Sequence, residues 1–362
     1  MCHTAINIED ALTERLFQST IQSLEMFSVY LGKRLGLYQA LADHGPLTDA
    51  GLADCAGIAK RYAREWLEQQ AVAGFLVAVD HDGTAATRAF QLPAAHIGVL
   101  VEEDHGAHIA PFAEMLVGIA GALPDVVTAY QTGEGVAYER YGADFRRGQG
   151  GINRPAFTSD LVTEWLPAIP DLHARLTSTN TAKIADVGCG EGWSTMAMAD
   201  AYPDMQVTGF DLDAPSIAAA RDHALSRDSR ARFRHCDAND MAEEGPFDLI
   251  MVLESLHDMS RPTRALAAMR KALSPGGMVL VVDERVAEEF TSPGDDVERM
   301  MYGWSVSHCL PVAMVDQPSE GIGTAIRIST VQDCSERAGF DQFEVLPIEN
   351  DLFRFYRLQK AA

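Results

Sequence analysis

Three glycines alternate with other residues directly after an apolar run, in the stretch IADVGCGEGWST. Gly188, Gly190 and Gly192 allow the backbone to approach a ligand closely, and the start of a helix behind them attracts an anionic group. The next predicted strand ends at Asp211, where a carboxylate can accept hydrogen bonds from ribose hydroxyls. These residues predict a binding site for a cofactor that contains a ribose.

The glycine spacing argues against a dinucleotide. A dinucleotide fingerprint reads GxGxxG, and counted from Gly188 its third glycine position holds Trp193. The loop reads DxGxGxG instead, and this spacing resembles motif I of class I S-adenosylmethionine (SAM) methyltransferases. The resemblance implies that the loop faces the methionine part of SAM and that Asp237, in the stretch HCDA, pairs with the adenine amine. The predicted cofactor-binding residues are Asp186, Gly188, Gly190, Gly192, Asp211, Leu212, Asp237, Ala238 and Glu254.

A histidine and an aspartate stand side by side in the stretch LESLHDMSRP, after a run that predicts a buried strand. Methyl transfer from a sulfonium is an in-line displacement that needs an aligned, deprotonated acceptor. A phenol with a pKa of about 10 is protonated at neutral pH, and a histidine with a pKa of about 6.5 can take its proton. His257 is thus a candidate general base. The spacing fits equally well a polar residue in the turn before a helix that Asp258 caps.

A second histidine lies in the segment ERMMYGWSVSHCLPVAM, which is rich in methionine and aromatic residues. An apolar, aromatic wall with one histidine suits a flat aromatic substrate. We therefore expect Met301, Tyr302, Trp304 and His308 to bind substrate. Ordinary helix core is the alternative, in which His308 is a satisfied buried histidine; in a pocket, His308 would be a hydrogen-bond partner or a second base.

The elements that must position these residues divide the chain. Residues 10–42 have helical periodicity, and two short helices follow, the first capped by Thr48 and the second closed by Gly74. Two strands about an Asp82-Gly83 turn complete the order of a winged-helix module. Residues 95–170 read as helical, with glycine-rich breaks at QTGEGVAYERYG and RRGQGGINRP.

From Ala182 onward, strands alternate with helices, which predicts a parallel sheet covered by helices on both faces. Five strands are expected, in KIADVGCG, QVTGFDL, ARFRHCDA, FDLIMVLE and GGMVLVVDE.

The winged-helix start, GINRPAF, LESLHDM and VVDE together resemble the small-molecule O-methyltransferases typified by plant caffeic acid enzymes and bacterial polyketide tailoring enzymes. The stretches GLYQALADHGPLT, RYAREWLE and CLPVAM are similar to actinobacterial proteins often labelled regulators. The resemblance implies that His257 is the base, that Glu284 hydrogen-bonds it, with Asp283 as the alternative, and that Met259 replaces a family tryptophan. It also implies a homodimer, in which helices around Phe27 and Tyr30 close part of the pocket.

Charge and cysteine content exclude several other classes. The net charge of -23 repels phosphate backbones, and Lys60, Arg61 and Arg64 are diluted by Glu65 and Glu68, so nucleic acid is not the expected partner. Six cysteines without a CxxC pair predict neither a metal site nor a disulfide framework. No signal peptide is apparent at the N-terminus and no long apolar run stands out, which predicts a cytoplasmic protein without membrane spans.

These patterns predict an α/β protein with a Rossmann-like class I methyltransferase domain at 176–362. A mostly helical winged-helix dimerisation domain at 1–110 and a helical, pocket-lining linker at 111–175 precede it. The predicted function is SAM-dependent methyl transfer to a small aromatic metabolite, which releases S-adenosylhomocysteine. Oxygen is the favoured acceptor, with carbon or nitrogen on an electron-rich ring left open. The alternative is a SAM-responsive winged-helix transcription regulator.

Overall fold

The computed structural model describes residues 8–79, 84, 87–178 and 182–361. The chain divides into two compact units, the N-terminal unit Met1–Val117 and the C-terminal unit Gly118–Ala362. Each unit has its own hydrophobic core among the described residues.

The N-terminal unit contains the predicted winged helix. Its helices are α1 (Ile8–Arg34), α2 (Leu37–His44), α3 (Asp49–Ala56), α4 (Lys60–Val72) and α5 (Ala94–Leu100), and its strands are β1 (Leu47–Thr48), β2 (Val77–Ala78) and β3 (Ala89–Gln91). The strands form an antiparallel sheet in the order β1-β3-β2. Thr48 accepts a hydrogen bond from the Gly51 amide and so caps α3 as predicted. The predicted Asp82-Gly83 turn lies outside the described residues.

Helical periodicity over residues 10–42 belongs to two helices rather than one. Gly36 has a φ of 66°, a left-handed conformation that glycine adopts freely, and it separates α1 from α2. Leu41 on α2 is 1% exposed and packs in the core of this unit with Tyr38 and Trp66. The large apolar residues of this stretch that stay exposed lie on α1 and at Leu35, directly after it.

The C-terminal unit begins with helices. They are α6 (Phe112–Thr132), which starts before the unit boundary, a 3-10 helix (Tyr138–Tyr141), α7 (Gly142–Pro155), a π-helix (Ala156–Trp165) and α8 (Pro170–Ser178). The break predicted at RRGQGGINRP is wrong, because this stretch continues α7 into the π-helix. Gly150 lies inside α7, where a Cβ atom would be 2.6 Å from the end of the Glu191 side chain.

Helix α6 is long and apolar enough to cross a membrane by length and composition alone. Its buried residues recur at helical spacing along one side, at Met115, Ile119, Ala122, Val126 and Ala129. One-sided burial of this kind is the pattern of an amphipathic core helix, which passes the same test.

A seven-stranded sheet forms the centre of the C-terminal unit. Its strands are β4 (Lys183–Val187), β5 (Gln206–Asp211), β6 (Arg232–His235), β7 (Phe247–Leu253), β8 (Leu273–Glu284), β9 (Gln342–Val345) and β10 (Phe353–Gln359), in the order β6-β5-β4-β7-β8-β10-β9. The first five are parallel, as predicted. Strands β9 and β10 were not predicted. β10 pairs antiparallel with β8, and β9 pairs antiparallel with β10.

Helices cover both faces of this sheet. They are α9 (Trp193–Ala201), α10 (Ala214–Ser226), α11 (Pro262–Lys271), α12 (Asp296–Trp304), α13 (Leu310–Ala313) and α14 (Ile328–Arg337), with a π-turn at Ser305–Cys309 between α12 and α13. The chain runs from β4 outward to β6 and then returns to place β7 on the other side of β4. In open parallel sheets, ligands bind at the carboxyl ends of strands where the order reverses in this way.

Candidate functional site

A cavity of about 640 Å³ opens at the carboxyl ends of β4, β5 and β7. This volume lies within the range of about 300 to 1,000 Å³ that small-molecule sites occupy. One part of its wall, here called the cofactor wall, contains Gly188, Gly190, Asp211 and Asp237. Asp258 and His308 belong to another part of the wall.

The glycine loop joins β4 to α9 in a conformation that other residues adopt with difficulty. Gly188, Gly190 and Gly192 have φ values of 74°, 52° and 84°. A Cβ atom on Gly188 would lie 2.5 Å from the Ser255 hydroxyl, whereas one on Gly190 would meet no atom within 4 Å. Gly190 is therefore required by its backbone conformation, next to open space in which a ligand can approach the chain.

Asp186 acts behind the loop rather than in the cavity. It is buried, and its Oδ2 atom accepts hydrogen bonds of 2.6 Å from the hydroxyls of Ser194 and Thr195. Burial raises the pKa of this carboxyl to about 6. Neither Asp186 nor Gly192 lines the cavity. Asp186 holds the start of α9, and a Cβ atom on Gly192 would lie 2.5 Å from the Phe233 ring, while their cofactor contacts stay a prediction.

Asp211 ends β5 with its carboxylate fixed by backbone amides. The Gly190 amide donates to Oδ2 at 2.8 Å, and the Asp213 amide donates to Oδ1 at 2.7 Å. Burial raises the pKa of Asp211, and these two hydrogen bonds oppose that rise. Leu212 follows on the cavity wall, and its carbonyl faces the His235 imidazole at 2.8 Å. Since each carboxylate oxygen can accept more than one hydrogen bond, Asp211 can also accept ribose hydroxyls.

An ion pair beside Asp211 was not predicted. The guanidinium of Arg146, on α7, donates two hydrogen bonds of 2.6 and 2.8 Å to Asp213, and both residues line the cavity. Because the guanidinium binds both carboxylate oxygens of Asp213, this pair fixes α7 relative to the start of α10. No motif in the sequence pairs these two residues, because they are brought together only by the packing of α7.

Asp237 and Ala238 lie where the sequence placed them, at the cavity wall after β6. Oδ1 of Asp237 accepts hydrogen bonds from the Asn239 amide at 2.8 Å and from the Asn239 side chain at 2.7 Å. This bonding caps the 3-10 turn Ala238–Glu243 and orients the carboxylate.

Glu254 follows β7 with a φ of 48°, a left-handed conformation that is uncommon for a residue with a side chain. It lines the cavity, and its buried Oε2 atom has no hydrogen-bond partner among the described residues. Burial raises the pKa of this carboxyl to about 7. Strain of this kind concentrates at functional sites.

His257 lies behind the cavity wall and is 3% exposed. Its Nδ1 atom is 2.6 Å from Oδ1 of Asp283, and its Nε2 atom is 3.4 Å from Oδ1 of Asp258. Burial disfavours the charged imidazole, but the charges of Asp283 and Asp258 outweigh burial and hold the pKa of His257 well above its ordinary value. The residue is thus more than a turn-forming polar group.

Asp283, rather than Glu284, is the carboxylate that hydrogen-bonds this imidazole. A carboxylate oxygen of Glu284 also lies within 4.8 Å of the imidazole and of Asp283, but among the described residues only Asp283 of these two hydrogen-bonds the ring. The amide of Glu284 instead donates to Asp283 at 3.0 Å. Burial and the nearby Glu254 carboxylate raise the pKa of Glu284 well above its ordinary value. The predicted role of Glu284 as partner of the histidine is therefore reassigned to Asp283.

His308 lines the cavity within an aromatic box. Its ring stacks on Phe145 at a centroid distance of 4.0 Å and meets the edges of Tyr141 at 4.5 Å and Tyr138 at 5.7 Å. Nδ1 lies 3.3 Å from the Cys309 sulfur, and Nε2 has no hydrogen-bond partner among the described residues. Burial lowers the pKa of His308 to about 4, which keeps the ring neutral at physiological pH.

The other predicted substrate residues of this segment do not line the cavity. Tyr302 accepts a hydrogen bond from Arg327 and meets Phe290 edge-on, and Met301 is buried. The π-turn Ser305–Cys309 shifts the helical register, and within the segment the cavity meets His308 and Val312. Met301, Tyr302 and Trp304 are not brought to the cavity, and their contact with substrate stays a prediction. Tyr30 packs partly buried against the core of the N-terminal unit.

Two family models match the chain. Residues 184–277 match the model described as a methyltransferase domain, and residues 24–102 match the model described as a Rv2258c-like winged HTH domain. Among curated proteins, the ubiquinone biosynthesis O-methyltransferase of Pseudomonas aeruginosa is 36% identical over 101 residues. That match covers 27% of this chain and 43% of the relative, so the chain spans less than half the length of the relative it matches.

Solved structures resemble the chain over nearly its whole length. Mitomycin 7-O-methyltransferase MmcR matches with a TM-score of 0.68 and 18% identity, covering 98% of this chain and 99% of that chain. Human N-acetylserotonin methyltransferase, solved in complex with SAM, matches with a TM-score of 0.65 and 17% identity over 100% of both chains. The fold is that of class I methyltransferases with an N-terminal winged helix. The chain combines a segment that matches a Rv2258c-like winged HTH domain with a segment that matches a methyltransferase domain.

Proposed function

We propose that this protein transfers the methyl group of SAM to a small aromatic metabolite, with oxygen as the favoured acceptor. The observation that carries the proposal is the cofactor wall, in which Asp211 is fixed by the Gly190 amide next to a cavity that also contains Asp258 and His308. The family model and the relatives named above support methyl transfer as the reaction.

The cofactor wall fits SAM by the chemistry of its donors and acceptors. Gly188 and Gly190 allow the methionine part to lie against the backbone, and Asp211 has acceptor capacity for the ribose hydroxyls. Asp237 and the backbone at Ala238 offer an acceptor and a donor to adenine. Bound SAM supplies an electrophilic methyl group on a sulfonium, so the protein has to orient an acceptor and manage its proton.

We assign proton removal to His257 rather than His308; because the charges of Asp283 and Asp258 raise the pKa of His257, its imidazole acts as the base once it has released its own proton. Asp283 holds Nδ1 of His257 and so directs Nε2 toward Asp258, which lines the cavity. This is the orientation that a carboxylate imposes on a catalytic histidine. His308, with a pKa of about 4, is too weak a base for a phenol of pKa about 10. We give His308 the role of orienting the acceptor by a hydrogen bond to its unpartnered Nε2. With a carbon or nitrogen acceptor, the base is less necessary.

The cofactor assignment is tested by calorimetry with S-adenosylhomocysteine. Asp211→Ala should weaken binding by about 1 to 3 kcal/mol, because the ribose hydroxyls lose a buried acceptor. An exposed carboxylate on α9, removed by Asp200→Asn, is the matched control and should leave the affinity unchanged. If Asp211→Ala binds as tightly as the parent and both bind NAD more tightly, the assignment is wrong. Incubation with methyl-labelled SAM and panels of phenols and indoles then identifies the acceptor.

We propose a homodimer held by the stripe of apolar residues on α1. Seven large side chains on α1 or directly after it are 41 to 60% exposed: Leu12, Leu16, Phe17, Leu24, Phe27 and Leu31 on α1, and Leu35 after its end. An exposed patch of this length on a helix is typical of an interface between identical chains. Light scattering should give a dimer for the parent and a monomer for Leu24→Asp combined with Leu31→Asp. A monomeric parent at micromolar concentration would contradict this proposal. We also propose that Tyr30 closes part of the substrate pocket in this homodimer.

The winged helix is proposed to have no DNA-binding role. The basic residues that open α4 pair with acids in the same unit: Lys60 and Arg64 with buried Asp49, and Arg61 with Glu65. These pairs reduce the charge available to phosphates. A gel shift with duplex DNA at physiological salt distinguishes the enzyme from a SAM-responsive regulator, since only the regulator would hold DNA. A cytoplasmic location fits this assignment and is proposed with it.

A further inference from the structure

Four carboxyl groups lie near a single histidine: Asp283 and Glu284 are buried, and Glu254 and Asp258 are partly buried and line the cavity. Each has one oxygen without a hydrogen-bond partner among the described residues: Asp258 Oδ1, Asp283 Oδ2, Glu254 Oε2 and Glu284 Oε2. Buried carboxylates are stable only when a cation or hydrogen bonds compensate them. The imidazole of His257 is one such cation, and it is shared by the whole group. The negative charge of these carboxylates would therefore attract a further cation.

Three different ligand atoms converge at this place. Nε2 of His257, a carboxylate oxygen of Asp258 and the sulfur of Cys309 all lie within 4.8 Å of one another. Imidazole, carboxylate and thiolate are the ligands that Zn²⁺ takes in proteins. The sequence predicted no metal site because Cys309 has no neighbouring cysteine, and only folding brings this cysteine to a histidine fifty positions earlier in the chain.

The spacing of the first two ligands fits a tetrahedral ion. Zn²⁺ holds nitrogen and oxygen ligands at about 2.0 to 2.2 Å, which places two such atoms about 3.3 Å apart. The Nε2 atom of His257 is 3.4 Å from Oδ1 of Asp258, which accepts no hydrogen bond among the described residues. In contrast, Nδ1 of His257 and Asp283 are 2.6 Å apart, a hydrogen-bond distance at which both cannot ligate one ion.

Asp283 completes the arrangement. Histidines that bind a metal usually donate their other ring N–H to a carboxylate, which fixes the tautomer and makes the ligand nitrogen more basic. The 2.6 Å contact between Nδ1 of His257 and Asp283 supplies this support before any ion is bound.

We propose that His257, Asp258 and Cys309 form a binding site for a thiophilic divalent cation of the Zn²⁺ type, with a fourth position open toward the cavity. On binding, the Cys309 thiol and Nε2 of the His257 imidazolium each release a proton to solvent, and the sulfur and the nitrogen bond the metal. Nε2 of His257 is then occupied by the metal and cannot accept a proton from a methyl acceptor. The ion is therefore an inhibitor of the proposed methyl transfer; this consequence rests on the proposed function, whereas binding itself does not.

The test is a titration of the metal-free full-length protein with Co²⁺, followed by absorption spectroscopy. A cobalt ion bound to a thiolate gives a charge-transfer band in the near ultraviolet, and a tetrahedral site gives intense visible bands. We expect both from the parent protein with one equivalent of Co²⁺, and their loss on addition of Zn²⁺. Absence of the thiolate band would overturn the proposal, and this reading is independent of any methyl transfer.

Matched variants locate the site. Cys309→Ser should abolish the thiolate band, whereas Cys334→Ser, at a buried cysteine on α14, and Cys55→Ser, at an exposed one, should retain it. Asp283→Asn should weaken Co²⁺ binding by about 10-fold to 100-fold, the usual effect of removing the carboxylate behind a ligating histidine. Should Cys309→Ser fail to fold, as seen by circular dichroism, Asp258→Asn takes its place and must weaken binding. A thiolate band that survives in Cys309→Ser, or an unchanged Co²⁺ affinity in Asp258→Asn, would also overturn the proposal.

Discussion

The cofactor wall and the surroundings of His257 are built in different ways. The cofactor wall uses backbone conformation and carboxylates that backbone amides fix, as in the contact of 2.8 Å between the Gly190 amide and Asp211. Around His257, side chains meet side chains, and a contact of 2.6 Å joins residues at the ends of two different strands, β7 and β8. Backbone geometry is set locally, whereas the histidine depends on how distant segments pack.

This difference predicts which property a substitution in each part will affect. The four residues that define the cofactor wall follow three neighbouring strands of the sheet: Gly188 and Gly190 follow β4, Asp211 ends β5 and Asp237 follows β6. The position of His257 depends on Asp283, Asp258 and Cys309, which belong to three segments. We therefore expect substitutions in the cofactor wall to act on cofactor affinity, and substitutions near His257 to act on turnover.

Apart from the replacement of His257 itself, the largest loss of turnover is expected for Asp283→Asn. Loss of the carboxylate that orients His257 should reduce kcat by about 10-fold to 1,000-fold. The affinity for S-adenosylhomocysteine and the KM of the acceptor should stay nearly constant, and alkaline pH should recover part of the rate because a phenol then ionises unaided. Glu284→Gln is the neighbouring control and should leave kcat nearly unchanged. A larger loss for Glu284→Gln than for Asp283→Asn would reverse our reassignment.

A smaller effect is expected for Gly190→Ala. The φ of 52° forces an alanine into the left-handed region, at a cost of about 1 to 2 kcal/mol, although a methyl group would meet no atom within 4 Å. Affinity for S-adenosylhomocysteine should fall by up to that amount in calorimetry. Gly303→Ala is the control, since it also meets no atom within 4 Å but lies in helix α12. Equal affinity of the two variants would show that the loop conformation is unimportant for binding.

The smallest effect concerns Asp186 and the pH dependence of stability. Its folded-state pKa of about 6 lies above the ordinary value of 3.8, so the folded protein holds this proton more tightly than the unfolded chain. The stability that this group contributes is therefore lost as pH rises through 6. Relative to the parent, Asp186→Asn should gain about 1 kcal/mol in unfolding free energy between pH 5 and pH 7.5. Urea unfolding of both proteins at both pH values measures this gain. If the difference in unfolding free energy between parent and variant is the same at both pH values, the pKa of buried Asp186 is not raised.

Much of the fold follows from sequence periodicity. The alternation of apolar runs with helical stretches predicted the five parallel strands, and Thr48 and Gly74 predicted the limits of the winged-helix elements. The pattern FRFYRLQ of β10 places arginines between apolar residues, which is a weak signal for a strand inside a sheet. Those arginines are neutralised by acids elsewhere, such as Glu288 beside Arg354, and no local pattern shows that.

The site was predictable to the extent that it is local. Asp211, Leu212, Asp237, Ala238 and Glu254 all line the cavity, as expected from their positions after strands. The choice between Asp283 and Glu284 depends on which face of β8 meets His257, and the exclusion of Met301, Tyr302 and Trp304 depends on a π-turn. A one-residue shift in helical register leaves no clear signature in a single sequence.

The most direct test of the central claim is to measure His257→Ala and Asp211→Ala with the same two assays. His257→Ala should bind S-adenosylhomocysteine like the parent and lose about 100-fold to 10,000-fold in turnover at saturating SAM, with recovery at alkaline pH. Asp211→Ala should lose affinity and recover most of its turnover when SAM saturates. If His257→Ala instead binds the cofactor weakly, melts at lower temperature and gains nothing from alkaline pH, His257 is a structural residue and the account is wrong.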